Sequence, residues 1–169
     1  MMTRKRLMLV MLVTMVIPLG AVGIRAISVS AAGAHEVPFT GSYSGTAAFT
    51  NVTPPTFHGA GVSTLLGRST NEGYSVITGL DSSCPGGLAN DNHETLTAAN
   101  GDTLLLISYD VACPISPGTY HGTGHWVVTG GTGSFSGASG QGTFDGHSDF
   151  NQGVFSFQVT GTISAPNQG

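Results

Sequence analysis

The residues of this chain that could bind a metal ion or transfer protons are six histidines and nine acidic residues. Asp145, His147 and Asp149 alternate along one predicted strand, so neighbouring side chains are about 6.6 Å apart at about 3.3 Å per residue. His121 and His125 are about 13 Å apart by the same rise, which is too far for one ion with bonds of about 2 Å. The spacing therefore predicts a solvated strand face, and no metal site, for these residues.

No residue pattern of a familiar catalytic mechanism occurs in the chain. GxSxG and HExxH are missing, and Glu36, Glu72 and Glu94 do not lie among aromatic residues that could stack on a sugar. The only lysine is Lys5, so the Gly-Lys-Ser/Thr turn of a phosphate-binding loop is absent. The sequence assigns no catalytic residue and predicts no cofactor. It favours a protein that is not an enzyme, without deciding the question.

Two aromatic residues, Tyr120 and Trp126, are the candidate ligand-binding residues. They share one face of a predicted strand with Gly122 and Gly124. If that face points into a barrel, the two side chains could line a small apolar pocket. The alternative is that they fill the core, as interior side chains of small barrels usually do.

Residues 1–34 have the pattern of a signal peptide. Arg4, Lys5 and Arg6 precede an apolar run over 7–24, and Ala32-Gly-Ala34 follows as a small-x-small cleavage site. An uncleaved membrane anchor is the alternative, because the run has 18 residues, near the lower limit for crossing a bilayer. Either reading predicts a secreted or extracytoplasmic domain at 35–169.

The predicted mature chain is acidic. Arg68 is its one basic residue beside all nine acids, which gives a formal charge of −8. Such a surface repels nucleic-acid phosphates and anionic lipid heads. We therefore expect no nucleic-acid partner, and no membrane association once the signal peptide is cleaved.

Cys84 and Cys113 are the only cysteines, and each is followed by proline. Neither belongs to a CxxC motif or has an adjacent histidine or lysine, which argues against a reactive thiol or a metal ligand. An even pair in an exported chain is typical of a disulfide. It would close a loop of about 30 residues and stabilise the fold by about 3.6 kcal/mol in the chain-entropy relation.

The region 35–169 is predicted to be all-β. Val, Ile, Leu, Phe and Tyr recur at every second position between turns rich in glycine, and no segment has a helical period. Eight short strands close most economically into an antiparallel up-and-down barrel, and a β-sandwich is the alternative. A ninth short strand could lie around 134–137. The predicted strands are 40–49, 57–68, 73–80, 93–98, 103–111, 119–129, 140–150 and 154–163.

The segment 129–140, TGGTGSFSGASG, resembles the GGTGxFxGAxG segment of the allene oxide cyclase and dirigent barrel group. The segments 63–69, 97–104 and 161–166 are similar to a family of small exported bacterial proteins of unknown function. The resemblance implies an eight-stranded antiparallel barrel. In plant relatives the lumen holds a hydrophobic substrate or steers a reactive intermediate, but the matching segments contain no catalytic residue to transfer to this chain.

Three functions remain open at this level. The favoured one is an exported barrel that binds a small hydrophobic molecule in its lumen, which requires a cavity there. The second is a cyclase or isomerase of the barrel group, which requires a buried ionisable group facing the lumen. The third is an inert surface or matrix protein.

Overall fold

The computed structural model describes residues 35–49 and 53–164, and the predicted leader at 1–34 lies outside them. Eight strands follow one another, each antiparallel to the next, and β8 pairs with β1 to close a barrel. The predicted up-and-down barrel is confirmed, and the sandwich is excluded because the sheet is closed. The strands are β1 (Glu36–Ala48), β2 (Thr56–Ser63), β3 (Gly67–Asp81), β4 (Gly87–Ala98), β5 (Thr103–Ser116), β6 (Thr119–Gly131), β7 (Ser139–Asp149) and β8 (Val154–Ser164).

Successive side chains along each strand point alternately into the lumen and out to the surface. Along β1, Phe39 and Tyr43 are buried, while the intervening Thr40 and Ser42 are exposed. In the final hairpin Phe157 and Val159 are buried, and Ser156 and other polar neighbours are exposed. In the described part of the chain, no helix has the length and apolar character needed to cross a membrane.

One end of the barrel, which we call the packed end, is filled by side chains. Trp126 is 0% exposed, and its ring meets that of Phe39 edge to face at a centroid distance of 5.5 Å. The indole fits because Gly142 and Gly161 leave space, since a Cβ at either position would lie 2.7 Å from its ring atoms. The surrounding core also contains Leu66, Leu96, Leu104, Leu106, Phe135, Val159 and Ile163.

Three predicted boundaries were wrong. The segment 57–68 is two strands, because Gly67 has a φ of 62° and turns the chain after Ser63. The range 81–92, which lies between the predicted strands 73–80 and 93–98, is mostly strand, since β4 already begins at Gly87. The possible strand around 134–137 is instead a 3₁₀ turn, Gly133–Phe135, that buries Phe135 at the packed end.

The predicted disulfide is present and lies at the opposite end, which we call the mouth. Cys84, in the turn between β3 and β4, is bonded to Cys113 on β5, with Cα atoms 5.9 Å apart. The bond therefore fixes the β3–β4 turn to the neighbouring strand. The bond joins residues 29 apart in sequence, and closing this loop stabilises the fold by restricting the unfolded chain.

Candidate functional site

The mouth half of the lumen contains a cavity of about 140 Å³. It begins above the packed core and extends to the ends of the strands, where Phe49 and Phe150 stack at a centroid distance of 4.1 Å. An apolar cavity of about 150 Å³ is large enough to hold benzene. The available space therefore suits one ring or a short branched chain, with room to project through the mouth.

One wall of the cavity is aromatic. Phe155 contacts Phe57 and Phe157 at centroid distances of 5.3 and 6.0 Å, and Phe144 contacts Phe157 at 5.5 Å. These rings come from β2, β7 and β8, which lie side by side with β1 in the closed sheet. The six phenylalanines of the wall, with those at the mouth included, are Phe49, Phe57, Phe144, Phe150, Phe155 and Phe157.

The facing wall, from β3, β4 and β5, contains the polar residues of the cavity as well as Ile77, Leu88 and Ala112. Several of the polar residues are joined by hydrogen bonds from strand to strand. Ser75 donates to Asn92 Oδ1 at 2.5 Å, and Asn92 Nδ2 donates to Asp110 Oδ1 at 2.6 Å. Such cross-strand bonds fix the orientation of each side chain in the absence of a ligand. The polar lining residues are Ser75, Asn90, Asn92, Glu94 and Asp110.

Glu94 lies at the inner end of the polar wall and is only 4% exposed. Ser108 donates to its Oε1 at 2.9 Å, and Asn71 Nδ2 donates to its Oε2 at 3.2 Å. Burial disfavours the charged form and raises the pKa of Glu94 to about 7, although these two hydrogen bonds act in the opposite direction. Near neutral pH the carboxyl therefore exists in both protonation states.

Asp110 lies nearer the mouth and is 8% exposed. Burial raises the pKa of its carboxyl to about 6, against the lowering effect of the bonds from Asn92 and Asn90. Its Oδ2 occupies space left by a glycine, because a Cβ at Gly122 would lie 2.5 Å from that oxygen. Gly122 therefore gives this oxygen room beside β6, at a position where both residues line the cavity.

The two aromatic residues predicted to bind a ligand lie elsewhere. Trp126 belongs to the packed end, and Tyr120 packs on the ring of Phe150 at a centroid distance of 4.8 Å. Neither is among the residues that line the cavity. Neither residue therefore belongs to the candidate site. Tyr120 supports Phe150 at the mouth.

The outer face of β6 and β7 carries a polar cluster. His121 stacks on His147, its direct partner across the strands, at a centroid distance of 4.6 Å, and its Nε2 lies 3.0 Å from Asp145 Oδ2. Sequence spacing along one strand could not show this, because His121 comes from the neighbouring strand. The three donor atoms lie within 4.8 Å of one another, whereas ligands at about 2.1 Å from a tetrahedral zinc are about 3.4 Å apart. We assign no ion to this cluster.

Comparison with known proteins gave no match to a family model, to a curated protein or to a solved structure. The cavity is concave, with an apolar wall and a few convergent polar groups, which is the usual composition of a small-molecule site.

Proposed function

We propose that this barrel binds a small, largely apolar molecule in the mouth half of its lumen. The observation that carries the proposal is the cavity of about 140 Å³ between six phenylalanines and a polar wall. An inert matrix protein has no need for such a space, and filling it with side chains would stabilise the fold. The resemblance to the allene oxide cyclase and dirigent group supports the same function.

Binding of toluene tests this proposal, with two adjacent alanines as the variant and its control. Ala47 lines the cavity, whereas Ala48, the next residue of β1, is exposed on the outer surface. We expect toluene to bind with a Kd of about 1 mM or tighter, a free energy of about −4 kcal/mol that is well within reach of seven non-hydrogen atoms. Ala47→Phe is expected to weaken binding at least tenfold because the added ring occupies the cavity. Calorimetric titration measures both.

Ala48→Phe should bind toluene as the unmodified protein does, because its ring points away from the lumen. Absence of toluene binding to the unmodified protein, or an equal effect of the two substitutions, would contradict lumenal binding. Circular dichroism of both variants verifies that each still forms the barrel.

A second candidate function is acid–base catalysis of the cyclase or isomerase type. It is favoured by Glu94 and Asp110, two buried carboxyls in the cavity wall with pKa values of about 7 and about 6. A group with a pKa near the operating pH is the most effective donor or acceptor of a proton. A cyclase or isomerase of this type requires a buried ionisable group in the lumen, and these two carboxyls meet that requirement.

Mass spectrometry of molecules that copurify with the protein distinguishes a binder from a catalyst. If the barrel is a catalyst, the unmodified protein holds the product, and the double variant Glu94→Gln, Asp110→Asn holds its isomeric precursor. If it only binds, the same compound is recovered from both proteins. We expect the second result. Among the described residues, the one further proton-transferring residue that lines the cavity is His147, and its ring stacks on His121 on the outer face of the barrel.

We also propose that the protein works outside the cytoplasm. The Cys84–Cys113 bond supports this location, because structural disulfides persist in oxidising compartments and are rare in the cytosol.

A further inference from the structure

The lumen holds two carboxyls and no compensating base within the described residues. Glu94 and Asp110 line the cavity, and Arg68, the one arginine or lysine in the described part of the chain, is exposed on the outer face of β3. A buried carboxylate without a counter-charge is costly, which is why burial dominates the pKa of both groups. A ligand that brings positive charge into the cavity would remove that cost.

The opposite wall is also suited to a cation. The faces of phenylalanine rings carry partial negative charge and attract an ammonium within about 6 Å. Six phenylalanines surround the apolar side of the cavity. A cation held against the carboxyls would therefore meet no repulsive group on the aromatic side, whereas an anion would face two acids with no positive charge to offset them.

We propose that the ligand is a small apolar molecule with one protonated amine, whose ammonium group bonds to Asp110 and whose body packs on the phenylalanines. This inference rests on the proposed lumenal binding. Asp110 is the contact because its Oδ2 faces the space beside Gly122. Glu94, whose two oxygens accept bonds from Ser108 and Asn71, contributes negative charge from behind.

Proton release should accompany binding. Of the other ionisable groups, Glu94 and Asp91 lie on the neighbouring strand β4, and Tyr43 on β1 interacts with Glu94. His147 lines the mouth from β7, but its ring stacks on His121 on the outer face. Because the ammonium requires the carboxylate form of Asp110, binding displaces the proton that the empty site holds below a pKa of about 6. The affinity for an amine is then expected to fall about tenfold from pH 7.5 to pH 5.

Three probes of matched shape test the inference on the purified chain at pH 7.5. Benzylamine is a cation, benzyl alcohol is neutral and benzoate is an anion. We expect calorimetry to give a Kd for benzylamine at least tenfold lower than for benzyl alcohol, and no detectable binding of benzoate. Repeating the benzylamine titration at pH 5, where Asp110 of the empty site is protonated, in buffers of different ionisation enthalpy measures the released proton.

Asp110→Asn is expected to weaken benzylamine binding at least tenfold and to leave benzyl alcohol binding unchanged. Asp145→Asn, on the outer face of β7, is the matched control and should alter neither. Binding of benzyl alcohol or benzoate as tight as that of benzylamine would overturn the amine inference and leave lumenal binding intact. If toluene and all three probes fail to bind, both proposals are wrong.

Discussion

The free energy of unfolding of this barrel is expected to be about 4 kcal/mol greater at pH 5 than at pH 8. The cause is the pair of lumenal carboxyls. Burial raises the pKa of Glu94 from 4.5 to about 7 and that of Asp110 from 3.8 to about 6. Between the unfolded and folded values the native protein holds more protons than the unfolded chain, so its stability decreases as the pH rises.

The sign of this effect is opposite to that of ordinary acid denaturation, in which native carboxylates are stabilised in their charged form. Asp81 and Asp102, whose pKa values are lowered by hydrogen bonds from Ser83 and Ser134, follow the ordinary rule. They are exposed, and their contribution is lost only as the pH falls through their lowered pKa values. Asp81 and Asp102 therefore add almost no pH dependence between pH 5 and pH 8.

Chemical denaturation at pH 5, 6, 7 and 8 measures the effect, and Glu94→Gln identifies its source. The variant is expected to be about 3 kcal/mol more stable than the unmodified protein at pH 8 and to lose more than half of the pH dependence. The glutamine amide can still meet Asn71 and Ser108, since a hydroxyl can donate or accept. Glu72→Gln, at an exposed position of β3, is the control. Stability that increases from pH 5 to pH 8 would show that the carboxyls are not buried in this way.

Trp126→Ala is expected to lower the free energy of unfolding by about 3–5 kcal/mol. The indole is completely buried, contacts Phe39 and occupies the space above Gly142 and Gly161. The two glycines cannot move into the vacated volume, because their backbones belong to paired strands. Urea unfolding followed by circular dichroism measures the loss, since the variant lacks the chain's one tryptophan.

Tyr109→Ala removes an aromatic ring from the outer face of β5, where it stacks on His125, and should cost about 1 kcal/mol or less. Trp126→Ala should also leave toluene binding at the mouth no weaker when the variant is folded. A loss of stability no larger than that of Tyr109→Ala would mean that the packed end is not the main core. Weaker toluene binding in the folded variant would show that Trp126 contributes to the ligand site.

The barrel could be predicted because its apolar side chains have a clear period. Phe155, Phe157 and Val159 alternate with Ser156 and Gln158, which is the pattern of a strand with one buried face. The apolar period is lost over 89–92, where the lumenal residues are polar. Asn90 and Asn92 face the lumen, so the segment lacks the apolar residues that identify a strand and lies outside the predicted strands.

The polar character of these lumenal positions also concealed the candidate site. Acidic side chains are usually exposed, so the sequence alone does not identify Glu94 as a residue of the lumen. The strand period nevertheless contained the signal. Leu104 and Leu106 face inward on β5, and continuing their alternation places Ser108 and Asp110 inward as well. The hydrogen bonds that make these positions tolerable come from neighbouring strands, and only the register reveals them.

The pairing of the first strand with the last determines how this protein can be attached to a support. Glu36 of β1 lies opposite Ser164 of β8, so the barrel chain enters and leaves at the packed end. The cavity opens at the other end, beyond Ala47 and Phe150. A resin or sensor surface that holds the barrel through either of these two positions would leave the mouth directed toward the solution. Immobilised protein would therefore exchange small molecules without obstruction.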